Sequence, residues 1–367
     1  MNSQLQVANG LADTRCGVVS PGIGLIQWFR FLSSGTFKFL SWKYSLRLAF
    51  ISFSAVFNSL FSLLETAMFG SKIREQRIHP DIVFVLGHPR SGTTHLHYLL
   101  SKDPRFGFVD TLQAFYPNSF FVMRGWCSWL EWLMAKTMDF VPSSFDMPSE
   151  EEIAINVITG GMSPHGAFCV MPKYKDYLRY LDFEGCSQGE LLRWQTSFVW
   201  FLKKFSYACG GKPLVVKSPS HTARLDVLRE LFPRAKFVCI HRDPKQVVAS
   251  FAHFIQEYYT YCFIAQTNDQ QITDYMVEHY QRLYRSFNRA KERVPEGVMV
   301  EVSFDDLEKD PFGVLDKIYC NFGWIQEDQF RERVSEYLKS LGKYEKNRCK
   351  SVSPQLEETI CQIASSS

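Results

Sequence analysis

The sequence predicts an α/β protein: a parallel sheet flanked by helices, carrying a helical aromatic-rich insertion and preceded by an apolar helical extension. Three observations predict it. The apolar run Ile82-Val83-Phe84-Val85-Leu86 opens into a glycine-bounded turn and then a helical pattern. A second run, Phe237-Val238-Cys239-Ile240, is likewise followed by a helix. Further strands expected at residues 214–216 and 298–302 continue the alternation. Strand-helix alternation of this kind builds parallel strands joined by right-handed crossovers, which puts helices on both faces of the sheet.

The elements follow in chain order. Residues 1–20 are polar and small and are expected to be poorly ordered. Residues 21–78 form the apolar extension. Seventeen uncharged residues, 48–64, lie between Arg47 and Glu65, short of the roughly 20 a membrane span needs. Ser54, Asn58 and Ser62 recur every fourth position and draw a polar stripe on a helix. A helix lying on the protein or on a membrane surface is therefore expected over a true span, with residues 45–70 giving peripheral membrane contact. No signal-peptide cleavage pattern is evident. Residues 79–325 form the main domain, with a helical insertion over 111–210 that is rich in aromatic residues, including Phe120, Phe121, Trp126 and Trp132. Helices are expected at about 222–232 and 244–259, and residues 326–367 form a helical and basic C-terminal segment.

The chemistry concentrates in Gly87-His88-Pro89-Arg90-Ser91-Gly92-Thr93-Thr94. This stretch joins a buried strand to a helix N-terminus, where backbone N–H groups have no helical partner and the helix dipole favours an anion. Gly87 and Gly92 are spaced as in a Walker A loop, but Thr93 stands where that loop carries lysine. A triphosphate site would lose its main contact to the terminal phosphates. Arg90 supplies a cation instead, as a fork for two oxygens, and Ser91, Thr93 and Thr94 add hydroxyls. Farther along, Arg242-Asp243-Pro244 ends the second strand and opens a helix carrying Ser250. Arg242 and Ser250 could hold a second, separate phosphate, although alone the tripeptide is an ordinary helix start.

Together the two segments resemble the sulfotransferase family. The resemblance covers roughly residues 80–325 and includes Lys217-Ser218-Pro219-Ser220-His221-Thr222 and Phe304-Asp305-Asp306-Leu307. Phe304 departs from it, since many members carry tyrosine before the acidic pair. The nearest group is the diverse branch common in bacteria and lower eukaryotes. The resemblance implies a P-loop-type fold and the co-substrate 3′-phosphoadenosine 5′-phosphosulfate. Arg90, Ser91, Gly92, Thr93 and Thr94 would hold its 5′-phosphosulfate; Arg242 and Ser250 would hold its 3′-phosphate. Lys346 and Asn347 would close over that phosphate from the C-terminal segment. No metal is expected, because a sulfuryl group carries less charge than a phosphoryl group.

A general base must take the acceptor's proton. His221 follows a strand, two residues later than the base histidine of the animal enzymes. Glu150 lies in Pro148-Ser149-Glu150-Glu151-Glu152, like an acidic motif of the nearer branch. Ser149 and Glu152 also have the spacing of a helix capping box. Asp110 stands where tyrosylprotein sulfotransferases carry a glutamate, and is otherwise a helix cap. Lys217 could neutralise the sulfuryl oxygens or be an exposed strand-end lysine.

Composition bounds the partners. A net charge of +3 on 367 residues, with no basic run, gives no footprint for nucleic acid. Ten dispersed cysteines have no metal-finger spacing. Thirty-two phenylalanines and sixteen tyrosines fit a large core, or an apolar pocket for a small-molecule, lipid or phenolic acceptor. Two other readings stay open. One is a P-loop kinase or ATPase; the other is a non-catalytic, membrane-associated nucleotide-binding protein. Localisation is expected to be cytoplasmic or membrane-associated, and the oligomeric state is open.

Overall fold

The computed structural model describes residues 21–126, 137–138, 141–142, 144–258 and 262–341. The expectations for residues 1–20 and for Lys346 and Asn347 lie outside the described residues. Five strands form one sheet: β1 (Val83–Leu86), β2 (Gly107–Phe108), β3 (Leu214–Lys217), β4 (Lys236–His241) and β5 (Met299–Ser303). Their order is β2-β3-β1-β4-β5 and every pairing is parallel. β3 and β4, consecutive along the chain, lie on opposite sides of β1. The order reverses there, and such a reversal opens a ligand crevice at the carboxyl ends of the strands.

The helices that matter below are α1 (Leu25–Ser33), α2 (Ser45–Glu75), α3 (Thr93–Leu100), α4 (Thr111–Phe115), α5 (Glu151–Thr159), α6 (Gln188–Ala208), α7 (Leu225–Leu231), α8 (Pro244–Tyr258) and α9 (Asp269–Lys291). A 3₁₀ segment, Pro219–Arg224, precedes α7. The sequence predicts one helix over 222–232; Pro219 at the first position and the Ser218 hydroxyl, which accepts from the Ser220 N–H, start the turn earlier and tighter.

The strands divide their side chains between two cores by simple alternation. Val83 and Val85 of β1 pack with Leu96, Leu99, Val238 and Ile240. Phe84 and Leu86 pack on the other face with Phe198, Phe201, Val216 and Phe237. Both faces of the sheet are covered, which is why these strands read as unbroken apolar runs. A third core joins the N-terminal extension to α8 and α9 through Trp28, Phe31, Ile51, Ala55, Phe251 and Tyr275.

Besides His221, four histidines are buried in this framework. Burial pulls His88 down to about 4 and His97 to about 3, and lowers His165 and His279 as well. All four are held neutral. A histidine whose folded value lies below its unfolded value contributes stability that is present above about 6.5 and is lost as pH falls toward the folded value. Between pH 6.5 and 5, stability is expected to fall by about 2 kcal/mol for each of His88 and His97, at about 1.4 kcal/mol per unit. Urea midpoints measured at the two pH values check this; equal midpoints would contradict it.

Candidate active site

The loop after β1 has the backbone its sequence implies. Gly87 has φ +148° and Gly92 has φ +96°. A side chain at Gly92 would strike the Phe304 ring at 2.2 Å, and one at Gly87 would meet the Ile240 carbonyl at 2.7 Å. Gly92 is also the N-cap of α3 and gives it no side-chain cap. The first turn of α3 therefore presents its N–H groups at the crevice. Arg90 sits in the left-handed region at φ +74°, uncommon for a residue with a β-carbon. The Ser91 hydroxyl donates to the His88 carbonyl at 2.8 Å and closes the turn.

The structure brings Arg90, Arg242 and Ser250 into one cluster. Arg90 Nε donates to Ser250 Oγ at 3.0 Å, and Arg242 Nη1 donates to the Arg90 carbonyl at 3.2 Å. Arg242 lies over the Phe304 ring, 4.2 Å from its centre, and Arg90 over the Phe254 ring. Sequence reasoning assigned these arginines to opposite ends of a ligand; here the loop and the β4–α8 segment are physically joined. Phe304 forms the floor of this cluster, a role for which no sequence signal was read.

On the other side of the loop, three consecutive glutamates meet three basic side chains, one at the end of β3 and two in the segment that follows it. Glu150 Oε1 accepts from Lys217 Nζ at 2.6 Å, and the same Nζ lies 3.2 Å from Thr94 Oγ1. Glu151 Oε1 is 2.6 Å from His221 Nε2, with both side chains fully buried. Arg224 grips Glu152 with two contacts, at 2.5 and 3.0 Å. The sequence put Ser149 at the N-cap in a capping box with Glu152. That expectation is corrected: Glu150 is the N-cap, no side chain caps the helix, and Glu152 turns inward to Arg224.

These contacts sort the candidate bases. The His221 side chain has no exposed surface and is enclosed by the rings of Phe84, Trp194 and Phe198 behind Glu151. In this arrangement Glu151 and those rings cover every side of the imidazole. Asp110 is the N-cap of α4 in a capping box with Gln113, and its carboxylate pairs with Arg124. Burial raises it, and it lines a separate hollow with Phe106, Phe120 and Lys212. The cap reading of Asp110 is therefore the one the geometry favours. Glu150 differs from its two neighbours, because 24% of its side chain remains exposed. Lys217 is only 2% exposed, so it is not a solvated strand-end lysine. Its ammonium ties Thr94, at the start of α3, to the one glutamate of the three that faces outward.

A glycine-bounded loop at a helix N-terminus, an arginine–serine cluster and a carboxylate–lysine pair thus meet at the carboxyl ends of the central strands. The sequence profile described as "Sulfotransferase family" matches residues 80–328, and the chain belongs to that family of transferase enzymes. It is similar to omega-hydroxy-beta-dihydromenaquinone-9 sulfotransferase from Mycobacterium bovis and from Mycobacterium tuberculosis. It is 29% identical to each over 330 residues, covering 89% of this chain and 84% of the relative. Among solved structures, sulfotransferase STF1 from Mycobacterium tuberculosis H37Rv superposes with a TM-score of 0.67 at 20% identity, covering 92% of this chain and 90% of that one. Sulfotransferase STF9 from Mycobacterium avium gives 0.62 at 16% identity, covering 82% and 80%. These likenesses establish the fold, and the family match establishes sulfuryl transfer as the reaction class.

Proposed function

We propose that the protein transfers a sulfuryl group from 3′-phosphoadenosine 5′-phosphosulfate to a hydroxyl on an apolar, lipid-like or phenolic acceptor, with Glu150 as general base. The observation that carries this reading is Lys217, whose ammonium contacts both Thr94 of the anion loop and Glu150. The donor fits the residues present. Glycine at 87 and 92 lets the loop pack bare against Ile240 and Phe304, and Arg90, Arg242 and Ser250 offer charge-assisted contacts for a second phosphate.

Each residue then has a role. Glu150 accepts the proton of the acceptor hydroxyl as its oxygen bonds to sulfur. The bond from sulfur to the phosphate oxygen breaks, and negative charge gathers on that oxygen. Lys217, Thr94 and the N–H groups of the α3 first turn stabilise this charge, as preorganised donors do in related group transfers. Arg90, Arg242 and Ser250 hold the far phosphate. The acceptor class rests on the aromatic-rich composition and on the mycobacterial relatives, whose named acceptor is a hydroxylated menaquinone.

Labelled sulfuryl transfer from the donor to a lipid extract tests the reading. Transfer is expected to persist in EDTA. Arg242→Ala is expected to raise the donor KM by about 10- to 100-fold, the loss of a hydrogen bond to a charged group costing about 1.5–3 kcal/mol. ATP consumption that requires Mg²⁺, with no sulfuryl transfer, would overturn it in favour of a kinase or ATPase. Tight binding of adenosine 3′,5′-bisphosphate with no transfer to any acceptor would mark a non-catalytic protein.

A further inference from the structure

Helix α2 carries its polarity inside out. Ile51, Ala55, Asn58, Glu65 and Ile73 lie on one face and are buried. The polar members of that face are satisfied by the protein: Asn58 donates to the Ile23 carbonyl at 3.0 Å, and Glu65 pairs with Lys204 of α6 and accepts from the Val122 N–H. The opposite face carries Leu46, Phe50, Phe53, Phe57, Leu60, Leu64 and Met68, all exposed. These seven follow each other at spacings of three and four, so they form one stripe about 33 Å long. Phe29, Phe37 and Trp42, the last 88% exposed, extend the apolar surface beyond the helix. Fifteen of the seventeen large apolar side chains left exposed among the described residues fall between Leu25 and Met68.

We infer that this surface docks the protein on an anionic phospholipid bilayer, lying in the interface rather than crossing it. Three observations choose this occupant. First, the charge is one-sided: residues 21–64 contain Arg30, Lys38, Lys43 and Arg47 and no acidic residue, and all but Arg47 are exposed. Cations beside an apolar aromatic stripe match anionic headgroups over acyl chains. A second copy of the same surface would bring like charges together. Second, α2 is long and apolar enough to cross a membrane by composition, but its inner face is fastened along its length. Asn58, Glu65 and the Arg47 contact to the Phe263 carbonyl would all have to break for it to span. Third, the extension is built into the catalytic framework. α1 packs on α5, the helix whose N-cap is Glu150, and Ser41 donates to the Ile264 carbonyl in the segment beyond α8, which carries Ser250. The inference does not depend on the donor chemistry.

The test uses the full chain and sedimentation with vesicles of phosphatidylcholine alone or with about 30% phosphatidylglycerol. Binding is expected to the anionic vesicles, to weaken with salt, and to be released by alkaline carbonate. The variant Trp42→Glu/Phe53→Glu/Phe57→Glu is expected to lose at least about 10-fold in bound fraction while keeping its melting temperature and its binding of adenosine 3′,5′-bisphosphate. Trp42→Ala alone should lose a smaller part, and serves if the triple variant folds poorly. Failure of the wild-type chain to bind anionic vesicles would overturn the inference. So would carbonate-resistant insertion, or light scattering that shows a dimer abolished by the triple variant. Because donor-site binding is measured on the same samples, loss of lipid binding is distinguishable from failure of the proposed donor site.

Discussion

Glu150→Gln is expected to lower kcat by about 10²- to 10⁴-fold while leaving the donor KM within a few-fold of wild type, the range general base catalysis typically contributes. Glutamine keeps the length of the side chain and can still accept from Lys217 Nζ, now 2.6 Å from Glu150 Oε1. What it loses is the capacity to take a proton. Lys217→Met should behave differently. It removes the cation that contacts Thr94 and Glu150 together, so it is expected to weaken donor use as well as lower kcat. Steady-state kinetics with saturating acceptor separate the two patterns. An active Glu150→Gln enzyme, alongside a well-folded but dead His221→Asn enzyme, would return the role of base to His221 and require Glu151 to move aside.

The parts of the site that were legible in the sequence are those set by local backbone demands. Gly87 and Gly92 were readable because a strand-to-helix turn carrying an anion needs positive φ and bare N–H groups, and both glycines have positive φ. What was not legible depends on partners distant along the chain. The glutamate triplet reads locally as a capped helix start, and its spacing fits that reading. Its actual partners, Lys217, His221 and Arg224, lie more than sixty residues away, and only the tertiary fold sets them opposite. The same holds for α2. The sequence draws a stripe through Ser54, Asn58 and Ser62, and amphipathic reasoning would turn that stripe to water. Instead Asn58 is buried against the chain entering α1, because that chain leaves carbonyls of Pro21 and Ile23 to be satisfied. The apolar side faces out as a consequence.

Arg224→Met is expected to destabilise the protein by about 3–5 kcal/mol, a drop of roughly 4–7 °C in melting temperature, because it strands Glu152 without its counter-charge. Arg224 and Glu152 are fully buried, and the guanidinium also donates to the Tyr180 carbonyl and stacks near Trp194. Burial alone would raise the Glu152 carboxyl, but the Arg224 charge outweighs it and holds the group at about 2. A carboxylate depressed in the folded state contributes stability that is present above its unfolded value, near 4.5, and is lost as pH falls toward about 2. The double variant Glu152→Leu/Arg224→Met removes both charges and is expected to recover most of the loss, since apolar replacement of a buried ion pair is often close to neutral. It should not recover all of it, because the Tyr180 carbonyl is left without its donor, at about 1–3 kcal/mol. The pH dependence separates this pair from the buried histidines. Their loss begins at about 6.5 and runs down to about 4 for His88 and about 3 for His97, whereas the Glu152 contribution starts to disappear only below about 4.5. Urea denaturation of wild type and double variant at pH 7, 5 and 3.5 should therefore show parallel losses down to pH 5. Below that the wild type should lose more than the double variant. Equal slopes throughout would mean that the Arg224–Glu152 contact is not held as an ion pair.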